Sequence, residues 1–406
     1  MPAASLRVVV APDKFKGTLA ASKAALAIAA GLRRTESGLF ASARFDLCPL
    51  ADGGEGTVGA LVTATSGRLV EIPAHDPLGR PISARYGLLG DGMTAVVELA
   101  AASGLHLVSA AERDAGRATT LGTGELIAAA LASGCKRLVL GLGGSATTDG
   151  GTGMARALGY RFLDGSGREL PWGGAALAEL ARIEPPAAVA GSALEGVQVT
   201  VASDVTNPLT GPDGAASVYG PQKGASPQLV RQLDRALSVL GERILEDLGV
   251  DVMALPGAGA AGGSGAGAVA FLGARLRPGA ELVSEAVGLS ERLGGADLVV
   301  TGEGQIDAQT LFGKVPFWVA KAARQAGAGY VAAVCGSLGA DAPTLEELGL
   351  DAVETAVDAV RRKLGSGADL VEAMREPARW TEEAAATLGE RLGPVLGSLP
   401  GGEARS

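Results

Sequence analysis

Residues Arg137–Gly153 read RLVLGLGGSATTDGGTG. Leu138–Leu140 is a short apolar run of β type, and Gly141 turns the chain. A loop rich in glycine and hydroxyls then leads through Asp149 to a helix-like segment, Met154–Leu158. Glycines let backbone N–H groups come close to a ligand, and Ser145, Thr147 and Thr148 add donors. A strand, a glycine loop and a helix start in that order make a ready seat for an anion such as phosphate. A single glycine turn would more often only pack a helix on its strand. Here the loop also carries a carboxylate, Asp149, and the same punctuation recurs at other strand ends.

Upstream, Leu6–Val10 is an apolar strand signal. It runs into Ala11-Pro12-Asp13-Lys14-Phe15-Lys16-Gly17-Thr18, and a helical pattern follows to Leu32. Ala43–Leu47 repeats the unit, ending in a loop with Asp52, Gly53 and Gly54 before a helix to about Ala64. Open parallel sheets bind ligands at the carboxyl ends of their strands, where these loops lie. Asp13 and Asp52 could be ordinary helix caps. Lys14 and Lys16 would oppose the helix dipole at such a place unless an anion sat between them.

The pattern changes near Ser66. Arg68–Pro73, Arg80–Leu88 and Ala95–Glu98 read as short strands, and Thr120–Ala132 as a helix. Val197–Ser203 is a buried-type strand ending at Asp204 and Asn207, the only Asn in the chain, followed by a loop with Lys223. Leu229–Leu248 is an amphipathic helix. Pro256–Gly267, PGAGAAGGSGAG, reads as a segment of close backbone approach rather than a linker. From Asp297 the first pattern returns. Asp297–Val300 leads to a loop with Glu303 and Asp307, and a helix begins near Lys314. Tyr330–Val334 and Asp351–Val357 are further strands. The expected fold is α/β: a Rossmann- or flavodoxin-like parallel-sheet domain formed by both chain ends, 1–70 with 285–406, and a second α/β domain, 71–284, inserted between them.

Composition narrows the function. The chain has 406 residues and a net charge of −9, which argues against a nucleic-acid partner. It contains no apolar run of membrane-spanning length and no signal-peptide pattern at its start, so a cytoplasmic protein is expected. Cys48, Cys135 and Cys335 have neither metal-ligand nor disulfide spacing. The two histidines, His75 and His106, leave little room for a zinc site or a Ser–His triad. Lysine is rare beside arginine, yet Lys14, Lys16, Lys223 and Lys314 all fall in Gly- or Pro-punctuated loops, and a compact ammonium suits a phosphoryl group. There is no Walker A sequence and no protein-kinase motif set. Gly141, Gly143 and Ala146 satisfy G-x-G-x-x-A, with Asp164 about 20 residues on, so an NAD(P)-dependent oxidoreductase of a small hydroxy acid is the alternative. Four loop lysines beside several loop carboxylates suit phosphoryl transfer better.

The motifs APDKFKGTL, PLADGGEGT, DPLGR, GLGGSATTDGG, DVTNPL, GPQKGA, PGAGAAGG, TGEGQID and QTLFGK run in order from Ala11 to about Pro316. Together they resemble the bacterial glycerate kinases related to the enzyme of glucarate, galactarate and glyoxylate metabolism. Thr148 stands where that family is expected to have Asn, and Ser203 where Cys is frequent. The resemblance implies a kinase using ATP and magnesium, with D-glycerate phosphorylated at its 2-hydroxyl in a cleft between the two domains. The candidates for catalysis are Asp204, Lys16, Asp149 and Asp52. Substrate or nucleotide contacts are expected from Asp13, Lys14, Gly143, Gly144, Ser145, Thr147, Asn207, Lys223, Glu303, Asp307 and Lys314. Asp149 and Glu303 are the candidate magnesium ligands. For the base, Asp204 is favoured over Asp149 and Asp52 because it ends a buried strand beside the only Asn.

Overall fold

A computed structural model describes residues 5–15, 17–36, 38–51, 53–54, 56–186, 194–312, 314–367 and 369–397. The chain divides into two compact units: an end unit, Met1–Asp52 with Ala280–Ser406, and a middle unit, Gly53–Gly279.

The end unit is built on five parallel strands, Arg7–Pro12, Arg44–Leu47, Leu298–Gly302, Tyr330–Cys335 and Ala352–Thr355. Across the sheet they run second, first, third, fourth, fifth. This is the flavodoxin-type order, which reverses direction between the first and third strands. Both faces of a central parallel strand are buried, so its sequence is apolar throughout rather than alternating. VVV at 8–10 and LVV at 298–300 fit that rule, and all six residues are fully buried. One face, with Val8, Val10, Leu298, Val300, Ala332 and Val334, meets Ile28 and Leu32 of helix Ala21–Arg33. Val360 of helix Ala356–Leu364 and Trp380 and Leu388 of helix Pro377–Leu396 complete that core. Helix Val315–Gln325 packs on strand Leu298–Gly302.

The middle unit carries six strands in simple sequence order: Arg68–His75, Pro81–Leu88, Thr94–Glu98, Arg137–Gly141, Gln198–Ala202 and Arg275–Arg277. The first two pair antiparallel as a hairpin, and the last four run parallel. Leu138, Leu140, Val97 and Val201 pack against Leu126, Ile127 and Ala130 of helix Leu121–Ala132. A second core gathers Leu233, Leu237, Leu240 and Ile244 of helix Pro227–Leu248 around Phe162 and Phe271.

Two boundaries differ from the sequence expectation. The units meet the chain at 52/53 and 279/280, not at 70/71 and 284/285. Helix Thr57–Ala64 explains the first shift. It packs on the strands Pro81–Leu88 and Thr94–Glu98, and the N–H of Val58 donates to the carboxylate of Glu98 at 2.7 Å. The segment that resembled a second Rossmann helix therefore belongs to the mixed sheet.

The glycine-rich stretch is also more ordered than a loop. Ala260–Leu272 is helical, with a left-handed kink over Ala261, Gly262 and Gly263. At Gly262, φ is +70°, and an added Cβ would fall inside the carbonyl oxygen of Thr147. Its own carbonyl accepts from the N–H of Gly150 at 3.0 Å. Close backbone approach is what the composition provides, and its target is the Thr147–Gly150 loop.

Candidate functional site

In the middle unit the loop after Arg137–Gly141 does not enter a helix at once. Gly143 is half-buried and Gly144 exposed, and the Gly144 carbonyl accepts from Leu105 N–H at 2.8 Å. Ser145, Thr147, Thr148 and Asp149 then turn inward and are buried, and the helix starts only at Thr152. The carboxylate of Asp149 is completely buried. Its Oδ2 accepts from the backbone N–H of Thr120 at 2.8 Å, the Thr120 hydroxyl at 2.9 Å, the Thr119 hydroxyl at 3.4 Å and Gly153 N–H at 3.2 Å. Its Oδ1 accepts from Gly151 N–H at 3.2 Å. A helix start leaves backbone N–H groups without intrahelical partners, and Asp149 serves two such starts, those of Leu121–Ala132 and Thr152–Ala157. Burial raises its pKa, against the pull of the Thr120, Gly153 and Gly151 donors. With both oxygens occupied in this way, Asp149 fits a structural tie rather than the magnesium ligand or catalytic group expected from the sequence.

Lys223 joins the same loop from the turn Pro221–Lys223. It is 2% exposed, and its Nζ donates to Ser145 Oγ at 2.8 Å and to the Thr147 carbonyl at 2.5 Å. Burial pulls its pKa down to about 7, while the charge of Asp149 draws it back up. Ser145, Thr147 and Lys223 are thus brought together.

Asp204 and Asn207 follow the strand Gln198–Ala202. Asp204 is exposed, and its Oδ1 accepts from Gly279 N–H at 2.9 Å. The Asn207 amide donates to the Asp213 carbonyl at 2.7 Å and its oxygen accepts from the Tyr219 hydroxyl at 2.8 Å. Asn207 therefore acts mainly on its own loop, a partner choice that its position before Pro208 allows.

In the end unit, Asp13 and Glu303 follow the two strands that flank the reversal in strand order, and Asp13 N–H donates to the Gly302 carbonyl at 2.8 Å. Both are nearly buried. Glu303 accepts from the hydroxyl of Thr310 at 2.8 Å. Lys314 holds the residue position just before the helix Val315–Gln325, without a capping bond from its side chain, and lies 3.1 Å from Asp307 and 3.7 Å from Glu303. The two acids offset a cation that would otherwise oppose the dipole at that helix start. Sequence reading missed Thr310, fully buried in the turn Ala308–Phe312, because nothing in AQTLF marks one hydroxyl as the partner of an acid seven residues earlier.

The helix-start argument for Lys14 is corrected. Phe15 and Leu19 pair across a tight turn, and the helix begins only at Ala21. The Asp13 carboxylate accepts from Lys14 N–H at 2.6 Å, so Asp13 shapes that turn instead of capping the helix. Lys16 and Asp52 lie outside the described residues. The dinucleotide reading also fails locally. Asp164 opens the tight turn that follows the strand Arg161–Leu163, with its N–H on the Arg168 carbonyl, and its carboxylate holds Ser166 and Arg168. Among the described residues, no cluster of three His, Cys, Asp or Glu could hold a metal, and no helix is long and apolar enough to cross a membrane.

A flavodoxin-ordered sheet with carboxylates and a lysine at its reversal, and a second α/β unit with a lysine–hydroxyl loop, place the chain in the α/β class whose polar groups gather at strand ends. A model of the glycerate kinase family matches residues 8–392. The chain belongs to that family and is a kinase, for which ATP is the implied co-substrate. It is 46% identical over 378 residues to the glycerate kinase of Halalkalibacterium halodurans, covering 93% of this chain and 96% of that one. It is 46% identical over 353 residues to the glycerate 2-kinase of Escherichia coli, covering 86% and 90%. The crystal structure assigned as glycerate kinase 2 from Salmonella typhimurium LT2 superposes with a TM-score of 0.83 at 43% identity, covering 96% of this chain and 99% of that one. These likenesses give the oxidoreductase alternative no support.

Proposed function

We propose that this enzyme transfers the γ-phosphoryl group of ATP to the 2-hydroxyl of D-glycerate, giving 2-phosphoglycerate and ADP. The observation that carries the reading is the charged group at the sheet reversal of the end unit. Lys314 stands within ion-pair reach of both Glu303 and Asp307 there, in a chain similar to a glycerate 2-kinase. Phosphoryl transfer asks the protein mainly for positioning and charge neutralisation. Lys314 is suited to the migrating group's negative charge.

Magnesium usually takes one or two carboxylates and completes its shell with phosphate oxygens and water. Glu303 and Asp307 fit that donor set without a larger acidic cage, and they are the residues that would hold the ion. When bound, magnesium would offset charge on the β- and γ-phosphates. The hydroxyl oxygen of glycerate attacks the γ-phosphorus, the bond to the bridging oxygen of ADP breaks, and the hydroxyl proton goes to a carboxylate. Asp204 is the favoured acceptor, since it is exposed at a strand's carboxyl end whereas Asp149 is sealed among N–H donors. Lys14, Asp13, Gly143 and Gly144 remain proposed contacts, as do Lys16 and Asp52. A chain without a membrane-spanning helix among its described residues, acting on ATP and a small acid, fits the cytoplasm.

The test is ADP release coupled to an absorbance change, with D-glycerate varied and the product offered to enolase with no mutase present. Glycerate-dependent ADP release and immediate dehydration by enolase are the expected result. ADP release whose product needs a mutase first would move the reaction to the 3-hydroxyl. No glycerate-dependent release would refute the reading.

A further inference from the structure

The Ser145–Asp149 loop and Lys223 hold more hydrogen-bonding capacity than their internal bonds use. An ammonium offers three donors, and Lys223 donates to two neutral oxygens, Ser145 Oγ and the Thr147 carbonyl. Among the described residues no carboxylate lies within ion-pair distance of this buried amine. Asp149 acts on it only from farther away, with its own charge held by the donors of two helix starts. The hydroxyls of Thr147 and Thr148 are buried, and among the described residues neither has a hydrogen-bond partner. An unsatisfied buried network of this kind is unfavourable in a folded chain that gains nothing from it. The loop comes to the surface at Gly144, next to Ser145 and beyond the carboxyl end of the strand Arg137–Gly141.

We propose that Lys223, with the hydroxyls of Ser145, Thr147 and Thr148, forms a seat within the middle unit for an oxyanion group of a substrate, a carboxylate or a phosphoryl group. The inference rests on the kinase reading and adds to it the part that the middle unit plays. An arriving oxyanion supplies the counter-charge that Lys223 lacks and accepts from the Thr147 and Thr148 hydroxyls, which have no partner among the described residues. It also makes the charged form of the amine the favoured one, so binding takes up a proton when the pH is near or above 7.

Lys223→Met keeps most of the stem and removes the charge, and Ser145→Ala is a smaller companion change. Both are first checked for folding by circular dichroism. Titration calorimetry then measures D-glycerate and, separately, a non-hydrolysable ATP analogue with magnesium, in two buffers of different ionisation enthalpy at pH 7.5. The expected result is at least a tenfold loss of affinity for one ligand in Lys223→Met, and loss of the proton uptake that the unsubstituted enzyme shows with that ligand. Loss for glycerate identifies the carboxylate as the occupant, and loss for the analogue identifies a phosphoryl group. Unchanged affinity for both ligands in a folded Lys223→Met would overturn the proposal. If Lys223→Met does not fold, unchanged affinities in Ser145→Ala and Thr147→Val would overturn it equally. An unsubstituted enzyme that binds neither ligand would refute the kinase reading as well, which separates the two failures.

Discussion

Replacing Asp149 should destabilise the protein more than it impairs catalysis. In Asp149→Ala the backbone N–H groups of Thr120, Gly151 and Gly153 all lose their side-chain acceptor in a place that water does not reach. A buried donor left unpaired costs about 1–3 kcal/mol. The Thr119 and Thr120 hydroxyls can rotate to other acceptors, and relief from burying a carboxylate gives something back. A net loss of roughly 3–5 kcal/mol is therefore expected, a large share of the ~5–15 kcal/mol that typically holds a protein folded. Asp149→Asn keeps an oxygen for the cluster at Oδ2 but turns an NH2 toward Gly151 N–H, and should lose about 1–3 kcal/mol. Scanning calorimetry would rank the three proteins, with kcat measured well below the lowest transition. The structural account requires Ala below Asn below the unsubstituted chain in stability. A variant Asp149→Ala that melts normally and is catalytically dead would refute it and return Asp149 to the chemistry.

Four further outcomes follow from the same geometry. Unfolded, Lys223 titrates at about 10.4, whereas in the folded protein it titrates at about 7. Between those values the unfolded chain holds a proton that the folded chain has lost. Its burial therefore penalises folding fully below pH 7, by roughly 3–5 kcal/mol, and the penalty fades as pH rises toward 10. The stability gain of Lys223→Met over the unsubstituted enzyme in urea should accordingly shrink from pH 6.5 to pH 9, and a constant gap would contradict the perturbed amine. Lys314→Ala should lower kcat/KM tenfold or more, about 1.4 kcal/mol of transition-state stabilisation, and near-normal kinetics would take it out of the site. EDTA should abolish turnover and magnesium restore it, and full activity without divalent metal would remove Glu303 and Asp307 from their proposed role. Gly262→Ala should destabilise by roughly 2–4 kcal/mol, because φ is +70° and the Thr147 carbonyl occupies the space of the methyl. An unchanged melting temperature would show that the kink can move.

Much of the fold was legible because strand, glycine turn and helix follow one another with clear apolar runs. VVV at 8–10, LVL at 138–140 and LVV at 298–300 are all strands, as read. Boundaries were less legible where a helix could serve either sheet. Nothing in TVGALVTA says that Val58 will meet Glu98, forty residues away, rather than strand Arg7–Pro12. The candidate residues divide on similar grounds. Lys223 was singled out by its rarity in an Arg-rich chain, and the structure places it against Ser145. Asp149 stood in the right loop, but sequence does not show that Thr119 and Thr120 from another helix start converge on it. The Lys14 argument failed because a turn between Phe15 and Leu19 delays the helix, and turn geometry leaves only a faint mark in FKGTL.

The division at 52/53 and 279/280 has a bearing on how the chain assembles during synthesis. Strand Arg7–Pro12 leaves the ribosome early, yet its neighbour Leu298–Gly302 pairs with it across 290 positions, Val8 against Leu298. Within the middle unit, Gly53 lies against Ala202, and Ala202 is in register with Arg277. Once that unit has folded, its two ends are therefore neighbours, and the open chain between the waiting strands shortens to about 60 residues. Each doubling of a loop adds about 0.6 kcal/mol to its closure, so this shortening is worth about 1.4 kcal/mol. The inserted unit then acts as a splint: by folding first, it brings the late-made half of the parallel sheet within reach of the half that was made at the start.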